Sequence, residues 1–187
     1  MIDTERLHLR PFAAGDADDL FAIFSRPEVA QWSGAGVPMA HRDEAVARIE
    51  RMPERAGSHP AAGVFAVVEH GVVEHGVVEG SVVEQGVDRV VGMALLVPIP
   101  SSGSGERNDY EIGWHLHPDV WGRGYATEAA SALVDRAWAA GLPDLVAVTD
   151  PDNEPSQRVC RRLGMADLGL RDDWYDRSLR AFRLAPS

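Results

Sequence analysis

The chain contains no lysine: all 18 of its basic residues are arginine. Lysine as nucleophile, Schiff-base former or self-acetylation target is thereby excluded. The single cysteine, Cys160, permits no internal disulfide and agrees with a reducing compartment. No apolar run approaches the roughly 18 residues a membrane-spanning helix needs. The acidic start Met1-Ile2-Asp3-Thr4-Glu5 is unlike a signal peptide, so a cytoplasmic protein is expected. Positive charge is scarce: the net charge of −11 argues against nucleic acid or an anionic membrane as the main partner. Cationic amines would be attracted, although acidity of this size also serves solubility alone.

What is present fits one domain. The 187 residues, 45% apolar and 25% charged, suffice for a single substantial core and are short for two. The stretch that organises the chain is YEIGWHLHPDVWGRGYATEAA, residues 110–130. Period-two alternation ends at Pro118, glycines at 122 and 124 make a turn, and a helical pattern begins near Tyr125. A strand–turn–helix junction presents unpaired backbone N–H groups and the positive end of the helix dipole to one point. Two glycines let the backbone approach a diphosphate without interfering Cβ atoms. No Gly-Lys-Ser/Thr follows, so this is not a P-loop, and Thr127 occupies the third position after Gly124, so it is not GxGxxG. A phosphate-bearing cofactor is the natural ligand of such a loop, and a purely structural glycine turn is the alternative.

The string WGRGYATEA, with EIGWHLHP before it and DNEPSQRVCRRLGM after it, resembles the GCN5-related N-acetyltransferase (GNAT) superfamily, and most of all its ribosomal-protein N-terminal acetyltransferase branch. The resemblance implies an α/β (α+β) single-domain fold over residues 1–187: a mixed twisted sheet of about seven strands with a splayed pair, flanked by about four helices. It implies acetyl-CoA as acetyl donor, no metal, and an amine acceptor, either a protein N-terminus or a small molecule such as an antibiotic or polyamine. A homodimer is common in the family. A binding module that keeps acetyl-CoA without chemistry is the alternative of another class. The family's loop pattern, Gln/Arg-x-x-Gly-x-Gly/Ala, falls on Trp121, Gly122, Arg123, Gly124, Tyr125 and Ala126, with Thr127 following, and its amides hold the pyrophosphate of the donor. Trp121 departs from Gln/Arg, a replacement that fits the ribosomal-protein branch.

Along the chain, residues 6–10 alternate as a first strand ending at Pro11, and Asp16 offers an N-cap to a helix through Phe24. Residues 29–39, with Trp32 among glycines, read as a loop, and residues 40–52 as an amphipathic helix bearing Ala45, Val46, Ile49 and Met52 on one face. Residues 67–87 carry VVEHG, VVEHG, VVEGS and VVEQG in register. An odd period switches valine pairs between sheet faces, so a continuous flat strand is not expected. Bulges or turns at the glycines, or a hairpin tip inserted between strands 64–68 and 89–97, are expected instead. His70 and His75 beside Glu69 and Glu74 suggest metal ligands, but no further ligand completes a site, and a solvated loop is preferred. Residues 98–108 read as a polar connection.

In strand 109–116, alternation puts Tyr110, Ile112, Trp114 and Leu116 on one face and Glu111, Gly113, His115 and His117 on the other. The resemblance implies a bulge here that splays the strand, with a backbone N–H near His115 or Leu116 holding the acetyl oxygen; His117 ends the strand and adjoins the donor. Family members carry a carboxylate at the position of Glu111, which makes it the first choice of general base, acting through a water, with His115 second. An alternative is that Glu111 only orients a loop. After helix 125–140 and strand 145–149, a helix is expected from about 154 to 163. The resemblance places Asn153 and Ser156 against the donor's pantetheine and phosphates. It puts Cys160 where many relatives have the tyrosine that protonates the thiolate, with Ser156 one turn away on the same face. A small buried hydrophobe is the plainer reading of Cys160. Residues 165–171 and 175–184 read as a last hairpin that in the family overhangs the acceptor. Trp32 would touch the substrate there, and Trp174, Tyr175 and Asp176 would wall a cationic amine. Packing against the sheet is the alternative for these aromatics.

Overall fold

A computed structural model describes residues 1–78, 81–103 and 108–186, with backbone only for 72–78 and 81–88. Part of the expected 98–108 connection, the tip of the 67–87 insertion and the side chains of Glu74 and His75 lie outside the described residues.

The strands are β1 (Ile2–Asp3), β2 (Leu7–Pro11), β3 (Gly63–Val78), β4 (Ser81–Pro98), β5 (Tyr110–Leu116), β6 (Leu145–Thr149), β7 (Ala166–Arg171) and β8 (Leu179–Leu184). They form one mixed sheet in the order β1-β2-β3-β4-β5-β6-β8-β7. The helices are α1 (Ala17–Phe24), α2 (Pro27–Ala30), α3 (Arg42–Ala56), α4 (Tyr125–Ala139) and α5 (Glu154–Arg162). The fold is the expected one, with eight strands for about seven and five α-helices for about four among the described residues. The extra strand β1 is too short to leave a periodic signal, and α2 is one turn started by Pro27.

Two apolar layers sandwich the sheet. On one face α4 and α5 bury Ala129, Ala130, Leu133, Ala137 and Cys160 against Leu7, Leu9, Val67, Leu96, Ile112 and Phe182. On the other, α1 and α3 bury Leu20, Ile23, Phe24, Ala45 and Met52 against Val64, Ala66, Met93 and Leu95. A fully buried side chain such as Phe24 contributes roughly 1.5–3 kcal/mol of transfer free energy.

Three expectations are corrected. Asp16 stands at the N-cap of α1 without a side-chain cap bond; its carboxylate instead accepts the Ala13 N–H at 2.7 Å and pairs with Arg10 at 2.7 and 2.8 Å. The repeat does not break at each glycine: Val72–Val78 and Ser81–Val87 pair as two antiparallel arms, because such a partner satisfies the backbone whichever way the valines face. Among the described residues its register shifts lie near its base, between Val67 and Val68 and between Glu69 and Val72, where Gly71 has φ +68°. The bulge expected in β5 is in β4: β5 pairs with β4 without a break, whereas the β3–β4 register shifts between Val67 and Val68, skipping Val91. The Val91 carbonyl accepts the His117 N–H at 2.8 Å, and a Cβ on Gly92 would lie 2.2 Å from Leu116 Cδ2, so glycine is required for this close approach.

Helix α3 runs one turn beyond its expected end at Met52, with Pro53 inside it. An interior proline costs about 3 kcal/mol or more in the helix, and the extra turn brings Arg55 to the site.

Candidate active site

Parallel strands β5 and β6 meet through one residue pair, Glu111 with Val146. Beyond that pair, towards the C-terminal ends of both strands, the sheet opens. Crevices outside the carboxyl ends of strands are where open α/β sheets bind ligands. N–H and C=O groups of one residue point to the same strand edge and alternate along the strand. The His117 N–H points to β4, so those of His115 and Gly113 do also, while the N–H groups of Trp114 and Leu116 face the opening. This separates the two expected donors: Leu116 faces the gap and His115 does not. Trp114 joins it. The Leu116 carbonyl is taken by the indole N–H of Trp121 at 2.9 Å, which fixes that half-exposed side chain beside the gap.

The loop after β5 forms a short 3₁₀ turn (Pro118–Val120) and then delivers the start of α4. Gly122 and Gly124 have φ +77° and +85°, the left-handed region that only glycine occupies at little cost. A Cβ on Gly122 would meet nothing within 4 Å, so that backbone is open to approach. The first intrahelical bond runs from the Glu128 N–H to the Gly124 carbonyl at 3.1 Å, leaving the N–H groups of Tyr125, Ala126 and Thr127 without helical partners. Among the described residues, the hydroxyl of Thr127 is the buried side-chain polar atom without a hydrogen bond. Buried polar groups are normally paired, so an unpaired hydroxyl beside unpaired amides fits a ligand rich in phosphate oxygens. Side chains of the loop are held away from this point: Arg6 donates to the Arg123 carbonyl at 2.9 Å and pairs with Glu128 at 2.6 Å, and Glu69 takes Arg123 at 3.2 Å and the Tyr125 hydroxyl.

Across the opening, Asn153 caps α5, accepting the Ser156 N–H at 3.2 Å. That bond occupies the amide oxygen and leaves its NH₂ group to donate. Cys160 is fully buried in the main core, and burial pushes its thiol up to about 12. These surroundings fit the small buried hydrophobe better than a proton donor.

Glu111 lies at the edge of the cleft, 9% exposed. Burial raises its pKa above the ordinary glutamate value, opposed by a hydrogen bond from the Tyr175 hydroxyl and by Arg55 at 4.0 Å. A base whose pKa moves towards neutrality is better matched to proton abstraction. Burial, then the neighbouring Arg48 and Arg55, push His115 down to about 3; its ring lies 5.2 Å from that of Phe24. An imidazole held in its neutral form is a weaker candidate for the base than the carboxylate of Glu111. His117 is buried and accepts the Asp119 N–H at 3.3 Å, a strand-end role.

The turn after β7 closes over this point. Trp174 is 2% exposed and donates to Asp109 at 3.1 Å, which anchors the turn. Tyr175 and Asp176 have φ +60° and +50°, a conformation that is a genuine outlier for a bulky residue. The Tyr175 N–H bonds the Pro100 carbonyl at 3.2 Å while its hydroxyl reaches Glu111. Strain of this kind persists where the surroundings over-determine it.

A cavity of about 410 Å³ opens on the α1–α3 face, between α3, residues 33–39 and strands β3 and β4; Glu111 is outside its lining and is reached through Arg55, a lining residue 4.0 Å from its carboxylate. Phe24, Met93 and three arginines, Arg48, Arg51 and Arg55, line it; Trp32 is half-buried and not part of the lining. The arginines follow i, i+3, i+7 spacing on one helix face, a signal that was readable in the sequence.

A family model described as "Acetyltransferase (GNAT) domain" matches residues 6–166. The "Uncharacterized N-acetyltransferase YnaD" of Bacillus subtilis (strain 168) is 35% identical over 75 residues, 36% of this chain and 44% of that protein, so the chain spans less than half of this relative. The "Uncharacterized N-acetyltransferase YoaA" of the same organism is 27% identical over 91% of this chain and 85% of that one. Among solved structures, a GNAT-family acetyltransferase from Bacillus anthracis superposes with a TM-score of 0.70 at 22% identity, covering 98% of this chain and 97% of that chain. YncA of Salmonella typhimurium, described as a putative acetyltransferase with its cofactor acetyl-CoA, does so at 0.62 and 19%, covering 96% and 93%. The chain belongs to the GNAT family of acetyltransferases.

Proposed function

We propose that this acetyltransferase moves the acetyl group of acetyl-CoA directly to a primary amine in a ternary complex, with Glu111 as general base. The observation that carries the reading is the junction of the β5–β6 opening with the amide turn at residues 122–127, where the Thr127 hydroxyl and three helix-terminal N–H groups await acceptors. Acetyl-CoA supplies the activated acetyl thioester. Amides of Gly122, Gly124, Tyr125, Ala126 and Thr127 hold its pyrophosphate, and the Asn153 amide and Ser156 border its pantetheine arm. The Trp114 N–H, which is nearer Glu111 along the strand than that of Leu116, stabilises the acetyl oxygen as it gains charge. One such donor contributes about 2.7–4 kcal/mol to lowering a barrier.

Glu111, through a water, takes the proton that the ammonium must lose before nitrogen attacks. Tyr175 holds the Glu111 carboxylate in place and Arg55 limits how far burial raises its pKa. Alkylammonium groups have pKa values near about 10 and α-ammonium groups near about 8, so the base matters more for the former. The test is steady release of CoA thiol with a panel of primary amines, alongside calorimetry of acetyl-CoA. Binding and amine-dependent release support the proposal; binding without release across peptides and small amines makes the chain a binding module instead.

A further inference from the structure

We propose that the acceptor of this reaction is a small amine that carries an anionic group, a carboxylate or a phosphoryl, held by Arg48, Arg51 and Arg55 in the cavity that reaches Glu111 through Arg55. This rests on the acetyl-transfer reading above and names its substrate class.

Three arginines converge on one concave site in a protein whose net charge is −11. The other charged lining residue is Glu44, whose carboxylate accepts the N–H groups of Ala40 and His41 at 2.9 Å and caps α3. Arg48 lies flat on Phe24, its guanidinium carbon 3.9 Å from the ring centre, and no carboxylate among the described residues is recorded within ion-pair distance of Arg48 or Arg51. Arg51 bonds the Ala47 carbonyl at 3.0 Å, and Arg55 stands 4.0 Å from Glu111. Burial and the nearness of Arg55 and Arg51 push Arg48 down to about 10, the behaviour of like charges gathered without a counterion. Guanidinium forks match carboxylate and phosphoryl oxygens geometrically.

The donor's phosphates do not explain the cluster. Their expected seat, the start of α4, packs on the opposite face of the sheet from α3. The stripe instead runs along α3 from Arg48 to Arg55, which adjoins the proposed base. An amine at Glu111 therefore places its remainder along the arginines. A cavity of about 410 Å³ is of small-molecule size. The amine itself still faces Glu111, while the arginines select the anionic group on the remainder of the molecule.

The test uses the full chain and matched pairs of amines: 4-aminobutyrate with 4-aminobutyramide, and O-phosphoethanolamine with ethanolamine. Binding is measured by calorimetry with CoA present, and CoA-thiol release is measured with acetyl-CoA. In at least one pair the anionic member is expected to bind and react at least tenfold better than its neutral partner, and which pair does so separates carboxylate from phosphoryl. The preference should fall about tenfold in Arg51→Gln, an exposed position whose change leaves the core intact, and further in Arg48→Gln, with acetyl-CoA affinity unchanged in both. Equal use of the neutral members, a preference that survives both substitutions, or binding of none of the four amines while acetyl-CoA binds normally would overturn the proposal. So would faster transfer to a peptide with an uncharged N-terminal residue, which assigns the site to protein N-termini. Failure to bind acetyl-CoA removes the underlying reading instead.

Discussion

Replacing Glu111 by glutamine tests the chemistry most directly, because the amide keeps the shape of the carboxylate and still accepts the Tyr175 hydroxyl. A positioned base is worth about 10²–10⁴-fold in rate. One acting through a water, on an amine that ionises by itself near pH 8–10, belongs at the lower end, so kcat should fall about 100-fold, or about 2.7 kcal/mol in the barrier. Affinity for acetyl-CoA should not change, since Glu111 stands at the start of β5 and the amide turn follows its other end. The pH profile supplies the sharper readout. Burial raises the Glu111 pKa, so the acidic limb of kcat/KM should lie above the ordinary carboxylate range and vanish in the glutamine variant, leaving only the limb of the amine. Stability follows the same linkage: a raised folded-state pKa stabilises fully below the unfolded value and loses that contribution as pH rises through the folded one. The wild type should therefore gain melting temperature over the variant on acidification through that window. An unchanged profile, or loss of activity that tracks loss of acetyl-CoA binding, refutes the assignment.

Thr127→Val removes the unpaired hydroxyl at constant shape: acetyl-CoA affinity should weaken about tenfold, the worth of a hydrogen bond to a charged group, while the ligand-free melting temperature holds or rises, both read by calorimetry. Cys160→Ala should leave kcat and its pH profile intact and cost about 1 kcal/mol of stability in denaturant melts through lost core volume. Gly92→Ala drives a Cβ into Leu116 Cδ2 and the His115 carbonyl at 2.8 Å, so it should destabilise by about 1–3 kcal/mol and raise the KM for acetyl-CoA by shifting the end of β5.

The amide turn was legible in the sequence because its cause is local: glycines at 122 and 124 permit a left-handed backbone, and a helical pattern starts one residue later. Strand β6 was legible at both ends for the same reason, a β-branched run bounded by turn residues. The acceptor side was not. The bond of Tyr175 to Glu111 spans 64 positions, and that of Trp174 to Asp109 spans 65, and nothing in the local pattern of either segment announces the other. Pro53 hid the last turn of α3, and with it the arrival of Arg55 at the cleft, because proline normally marks a helix end. The bulge expected on the strand that opens belongs to its neighbour β4 at Val91, where a glycine follows and β5 closes in.

The lone Glu111–Val146 pairing leaves the molecule as two half-sheets tied at one rung. In the proposed complex, the amides of the donor's pantetheine arm pair with the strand edge left open beyond that rung. Folding and occupancy are then one equilibrium: at a hundredfold excess over Kd the donor adds about 2.7 kcal/mol to the folded state. Thermal melting with rising acetyl-CoA reads that coupling directly: the midpoint should climb with donor concentration.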